Sequence, residues 1–319
     1  MSASGVTGSR IGAIGLLLVL ATAVVSGVST FVNSYAVAGT NSDAFVTVRN
    51  LVVVALIAPI AILAARGAHA PLARADWGRL AVIGLIGGAI PFLLFFHGLQ
   101  LATAAHGAAT ASFVYRTLFL MATVLGFVFL QERFRLRVVV GAGLLLGGNV
   151  LLLSLISPLW TNGTSYVLAA TVLWAVEYTI SKRVLRTLPS PTVALGRMGF
   201  GGIFLVGYLF LTAQWSSAAS LTGPQWGWVV ISALLLAAFV GTWYAGLARV
   251  DLGVATSVLV LGFPITWVLT IAVRGTGFAL PAAVGAIAVA IGVAVVIGRS
   301  LFGDLAAMLR PSAAPRNAT

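Results

Sequence analysis

The chain reads as an all-α integral membrane protein of ten transmembrane helices, arranged as two inverted five-helix repeats. Three observations predict this. Of the 319 residues, 60% are hydrophobic and 8% charged, with a mean hydropathy of +1.10. An ordinary soluble domain carries about 25% charged residues, so this chain cannot cover a water-facing surface and lipid must be its main solvent. Ten apolar segments follow one another, each near the roughly 20 residues that a spanning helix needs. Finally, the residue order of the first half returns in the second. Arg49, Val82-Ile83 and Gly98-Leu99 are answered 148 positions later by Arg197, Val230-Ile231 and Gly246-Leu247. After a slip of four residues, Gly141, Ala142 and Gly148 fall on Gly285, Ala286 and Gly292. Any one apolar match is cheap; their common order is the signal.

The first five segments cover 11–31, 44–65, 80–101, 104–130 and 138–156. The second five cover 165–185, 192–211, 226–247, 252–273 and 278–297. Residues 1–158 and 159–298 are thus the two repeats. Residues 299–319, ending in a polar stretch with Pro311 and Pro315, read as an unstructured cytoplasmic tail. Ten spans put both termini on one side. Fourteen cationic residues fall there, among them Arg66, Arg133, Lys182, Arg249, Arg310 and Arg316, against Arg274 alone on the other. Lys and Arg in short loops mark the cytoplasm, which predicts cytoplasmic termini and residence in the plasma (inner) membrane. The formal charge of +12 therefore reports orientation in a bilayer and not a nucleic-acid partner. Trp160, Trp215, Trp226 and Trp228 gather near the outer ends, where indoles favour the headgroup layer.

Arg10, an apolar run and Ala36-Val37-Ala38 imitate a cleavable signal peptide. The run is long for that purpose and has a counterpart around 167–182, so it reads as a retained first helix. The chain has no cysteine, which excludes disulfides and thiolate metal sites. His97 and His106 stand apart, with no acidic neighbour at ligand spacing. No catalytic triad, phosphate loop or metal pattern appears, and no cofactor is expected.

A repeat of odd span number must enter the membrane oppositely the second time, which relates the halves by a pseudo-two-fold axis in the membrane plane. Such a molecule has two near-equivalent packings, one open to each side, and alternating access follows from exchanging them. Arg49 and Arg197 each lie about 8 Å into their helices, one beneath each mouth; they line a pathway or snorkel to headgroups. Arg116 and Glu177 lie near mid-span, Arg116 about 18 Å along its helix. A charge there costs roughly 2.5–3.5 kcal/mol on insertion scales, so both must face protein or water. The expectation is a common central cavity in which they pair or contact substrate together; the alternative is a structural ion pair joining the halves. Trp174 and Tyr178 flank Glu177, and Trp243-Tyr244 occupy the eighth span. Their faces suit apolar or cationic ligand parts, or simple packing. Gly87, Gly88, Gly147 and Gly148 read as points of close helix contact.

The tract Gln131-Glu132-Arg133-Phe134 followed by Gly141 and Gly148 resembles the EamA family of the drug/metabolite transporter superfamily. The second half repeats it from Gly246 through Pro264 to Gly285 and Gly292, and Trp174-Ala175 with the arginines of spans two and seven fit as well. The likeness covers about residues 11–298. It implies secondary transport, by export or exchange, of small metabolites such as amino acids or amphipathic toxicants, without nucleotide hydrolysis. Two departures stand out. Arg116 occupies a place where the family often has proline, kept here in its counterpart Pro264. Glu132 has no equivalent near Thr276 and reads as structural, bound into the basic loop.

Arg49, Arg116 and Arg197 against Glu177 leave the interior net positive, which favours an amino acid or related carboxylate as substrate. The rival is a proton-coupled exporter of lipophilic cations using Glu177. A membrane enzyme acting on a lipid-linked substrate is remote, because six scattered acidic residues build no catalytic cluster. The partners expected are a small-molecule substrate, the lipid bilayer, and a coupling proton or exchanged substrate. A monomer suffices.

Overall fold

A computed structural model of the protein describes residues 3–36, 40–66, 72–133, 135–154, 159–275 and 277–309. Phe134, Val37, Ala38, Thr276 and the tail from 310 to 319, with Arg310, Pro311, Pro315 and Arg316, lie outside them. No strand occurs among the described residues. The helices are α1 (Ala3–Ala36), α2 (Ser42–Arg66), α3 (Arg74–Ile83), a π-helical turn (Gly84–Ala89), α4 (Ile90–Ala104), α5 (Ala108–Arg116), α6 (Leu118–Leu130) and α7 (Leu136–Leu152). The second half has α8 (Asn162–Val184), α9 (Ser190–Leu211), α10 (Trp215–Ala219), α11 (Gly223–Leu247), α12 (Leu252–Leu259), α13 (Gly262–Arg274) and α14 (Leu280–Leu309).

Among the described residues, eight stretches are long and apolar enough to cross a membrane, two fewer than the ten spans expected. The two that fall short are α7, apolar but only 17 residues long, and α8. The latter carries Glu177, Lys182 and Arg183 and buries most of its polar residues, Thr164, Thr171, Glu177, Thr179 and Ser181 among them. At the chain's end the helix runs on past the point where a tail was expected to begin. It breaks at Gly298, whose φ of 74° suits glycine alone, and continues to Leu309.

The repeat is visible as pairs of contacts that swap. α7 and α14 run antiparallel through their glycines. A Cβ on Gly148 would lie 2.8 Å from the Gly285 carbonyl oxygen, and one on Gly292 would lie 3.1 Å from that of Gly141. Shifting each residue by 144 positions turns one contact into the other. The same holds at an offset of 148. A Cβ on Gly246 would meet the Gly15 oxygen at 3.2 Å, and one on Gly98 would meet the Gly163 oxygen at 2.7 Å. Each residue at an interface thus faces the equivalent of its partner, as an isologous contact requires. Because the equivalent helices α7 and α14 are antiparallel, the axis relating the halves is perpendicular to them. Of the four glycines expected at close contacts, Gly87, Gly88 and Gly148 are there; Gly147 faces open space.

The fourth and ninth segments are both broken at their middles, at Thr117 and at Val260-Leu261. In the second half Pro264 explains the break, since it cannot donate to the oxygen four residues back. At the offset of 144 Thr117 falls on Leu261, so the first half breaks at the same place without a proline; Arg116 then answers to Val260, and Pro264 to Leu120, not to Arg116 as expected. Both segments then end in a left-handed residue, Gln131 (φ 58°) and Gly275 (φ 63°).

Glu132, following Gln131, joins the halves. Its carboxylate accepts from the backbone N–H groups of Leu252 (2.6 Å) and Gly253 (3.2 Å), at the start of α12. The basic loop was the expected partner; the true one is a helix N-terminus, where a carboxylate satisfies orphan donors and opposes the dipole. Burial pushes the Glu132 carboxyl above the ordinary glutamate range, and the two N–H donors oppose that rise. Beside it, Lys182 Nζ donates to the carbonyls of Leu247 (2.6 Å) and Val250 (2.7 Å) at the end of α11. Arg186 Nη2 reaches the Leu130 oxygen at 3.3 Å. The Glu132 and Arg186 contacts join the two repeats at this end, while those of Lys182 stay within the second.

Filling a glycine contact separates backbone crowding from loss of flexibility. Gly148→Leu should destabilise the protein by about 1–3 kcal/mol, the usual cost of overpacking, whereas Gly147→Leu, one residue away in open space, should leave the thermal midpoint in detergent unchanged.

Candidate functional site

A cavity of about 300 Å³ lies between the repeats. The first half supplies the end of α1 (Ser26, Ser29, Thr30, Asn33), Arg49 of α2, Phe92 and Phe95 of α4, and Tyr115 with Arg116 of α5. The second half supplies Trp174 and Tyr178 of α8, Arg197 of α9, Phe239 of α11 and Phe263 of α13. Five of the eight residues expected at a site are in this wall: Arg49, Arg116, Arg197, Trp174 and Tyr178. Glu177, Trp243 and Tyr244 stand behind it, fully buried. Trp243 packs on Tyr178 with ring centroids 4.6 Å apart.

The expected pairing of Arg116 with Glu177 is not what the structure holds. Glu177 faces Arg197, with Oε2 3.6 Å from Nε. Its Oε1 accepts from Ser181 Oγ at 2.5 Å and from the Tyr244 hydroxyl at 2.7 Å. Arg116 instead donates from Nη1 to Asn149 Oδ1 at 3.0 Å and lies over the Phe263 ring, 3.2 Å from its centroid. The reason is rotational. Depth along a helix follows from residue counting, but the face presented does not, and α8 turns Glu177 toward α9 and α11.

The three arginines are held in different ways. Arg197, 2% exposed, also donates from Nη2 to the Gly87 oxygen at 3.0 Å. Trp174 Nε1 donates to that same oxygen at 3.1 Å. Local chain chemistry makes this acceptor available. Pro91 has no N–H to give the oxygen four residues behind it, and its ring crowds that carbonyl. The backbone widens into the π-helical turn Gly84–Ala89, a distortion common at functional sites. Gly87 and Gly88 let α8 and α9 approach that turn; a Cβ on Gly88 would lie 3.1 Å from Gly201 Cα. Arg49, also 2% exposed, finds Asn50 Oδ1 at 3.2 Å, while Asn50 Nδ2 donates to the Gly88 oxygen at 3.3 Å. The guanidiniums of Arg49 and Arg197 share one ring, 5.2 and 5.7 Å from the centroid of Phe92.

Donors remain free. Arg116 Nε and Arg197 Nη1 are buried without a hydrogen-bond partner, each aimed from a residue of the cavity wall. Such groups are costly to bury unpaired, and an acceptor brought by a ligand would satisfy them. Sequence reasoning missed Asn50, Asn149, Tyr115, Phe92, Phe263 and Pro91. The asparagines are ordinary by spacing; Pro91 four residues after Gly87 was the readable sign of a freed carbonyl. Removing the carboxylate under Arg197 tests the network. Glu177→Ala should cost about 3–5 kcal/mol of stability, as expected when one partner of a buried pair is lost, measured as a fall in thermal midpoint that Glu177→Asp largely avoids.

Comparison with known proteins follows the fold. No curated protein matches the sequence. One solved crystal structure superposes with a TM-score of 0.71, covering 88% of this chain and 97% of its own, at 21% identity; at that distance it speaks for the fold alone. The profile of the EamA-like transporter family matches twice, over residues 13–154 and 161–298, and these two matches fall on the two halves related by the swapped glycine contacts. The chain belongs to the EamA-like transporter family, within the drug/metabolite transporter superfamily.

Proposed function

We propose that this protein is a secondary transporter of a small carboxylate-bearing metabolite, an amino acid or related carboxylate, working by alternating access as an exporter or exchanger. The observation that carries the proposal is the cavity wall: three arginines reach it, and among the described residues the one carboxylate nearby, Glu177, is held behind Arg197. A pocket of that charge attracts anions and repels cations. Its aromatic rings and the hydroxyls of Ser26, Ser29 and Thr30 suit the rest of a small metabolite.

In this reading all ten helical segments cross the plasma (inner) membrane, as two five-helix halves inserted oppositely, with both termini cytoplasmic. Crossing by α8 is compatible with its low hydropathy, because its polar residues point into the protein. The antiparallel α7–α14 contact supports the opposite insertion, and the Lys and Arg asymmetry supports the orientation. Alternating access would break the cross-repeat contacts of Glu132 and Arg186 as equivalent contacts form at the opposite end. Export of lipophilic cations through Glu177 gains no support, since Glu177 is 0% exposed and outside the cavity wall.

Reconstitution in proteoliposomes with imposed pH gradient and potential tests the proposal. Saturable uptake of a carboxylate metabolite is expected, and Arg116→Gln should lower kcat/KM at least about tenfold, near 1.4 kcal/mol, with the thermal midpoint retained. Tighter binding of a permanently cationic compound than of any carboxylate would overturn it.

A further inference from the structure

The cavity's charges divide into two places, and the division bears on the substrate. At one end Arg49 and Arg197 share the Phe92 ring, and Glu177 neutralises one of the two. At the other, Arg116 stands alone over Phe263. Between them runs an aromatic wall. Phe92 touches Trp174 at 5.5 Å, Trp174 touches Tyr115 at 5.5 Å, and Tyr115 touches Phe263 at 6.3 Å between centroids. Each end therefore keeps one uncompensated positive charge.

The partners that fix these arginines are chosen in a way that leaves the charge intact. Arg49 is held by Asn50 Oδ1 and Arg116 by Asn149 Oδ1, both neutral acceptors. An aspartate in either place would make a stronger bond and would cancel the charge. Among the described side chains, the remaining carboxylates lie elsewhere: Asp43 meets the Tyr208 hydroxyl, Asp76 meets Arg79, Glu132 caps α12, and Asp251 precedes that helix. Two buried cations in low dielectric are costly without counter-charge. The free donors Arg116 Nε and Arg197 Nη1 belong one to each end.

We infer that the substrate carries two anionic groups, one received by Arg49 with Arg197 and the other by Arg116, with its apolar spacer lying along Trp174 and Tyr115. The inference rests on the carboxylate reading above and narrows it from carboxylates in general to those with a second acidic group. Asn50 and Asn149 are positioning residues that hold the guanidiniums while leaving them charged.

The test is binding to the purified full-length protein in nanodiscs, by calorimetry. The probes are a series of straight-chain dicarboxylates of increasing length, the monocarboxylates of equal length, and a phosphate monoester. Dicarboxylates should bind at least about tenfold tighter than their monocarboxylate counterparts, with an optimum in spacer length. Arg116→Gln should erase that advantage, bringing dicarboxylate affinity down to that of the matching monocarboxylates. Asn149→Asp keeps the arginine but cancels its charge, and should erase the advantage too; Asn50→Asp does the same from the other end if the first variant folds poorly. Equal affinity for mono- and dicarboxylates would overturn the inference and leave the carboxylate reading standing. Binding of the phosphate monoester but no dicarboxylate would replace two separated poles with one doubly charged head, and also overturn it. Failure of every carboxylate would sink the function proposed above as well.

Discussion

Three guanidinium groups buried inside a bundle of apolar helices govern this structure. Each costs several kcal/mol to remove from water, and each is met by a different device. Arg197 has a carboxylate and a carbonyl, Arg49 an asparagine and a shared ring, and Arg116 an asparagine and a ring of its own. The devices reach outward into the fold. The carbonyl that Arg197 uses exists because Pro91 cannot bond to it, and the π-helical turn that presents it is tolerated because Gly87 and Gly88 allow α8 and α9 to close in. Backbone irregularity at membrane depth is viable only where protein or a cavity satisfies it, and here the charged side chains do the satisfying.

The backbone repeats more faithfully than the site does. Glycine contacts swap across the two halves, both mid-segment breaks coincide, and both segments end in a left-handed residue. The charges do not repeat. Arg116 answers to Val260, Glu177 answers to Ser29, and Arg49 and Arg197 are equivalent in position yet differently compensated. The symmetric part is the backbone framework, and the asymmetric part lines the cavity between the halves. At one end Glu132 and Lys182 bind backbone groups and so constrain helix ends more than particular side chains.

Much of this was legible in sequence, and the limits are physical. Hydropathy and the repeat carried the helical class and the two halves, because those depend on composition and order. Counting along a helix placed Arg49, Arg116, Arg197 and Trp174 at useful depths, and all four reach the cavity. Rotation about the helix axis was the missing coordinate. It put Glu177 against Arg197, and sent Trp243 and Tyr244 behind the wall. Hydropathy also undercounts a helix such as α8, whose polar residues face protein. The roles of Asn149 and Asn50 had no local signal, since their partners arise from packing.

The central claim is that the cavity is electropositive because two of its three arginines, Arg49 and Arg116, are held by neutral groups. The chain has no native cysteine, so Ser112→Cys, in the cavity wall beside Arg116, provides a unique thiol. Its modification rates by a sulfonate-bearing and a trimethylammonium-bearing methanethiosulfonate, each normalised to a free thiol in solution, measure the local potential directly. A faster normalised rate for the sulfonate reagent is the predicted result; an equal or faster rate for the trimethylammonium reagent would contradict the account.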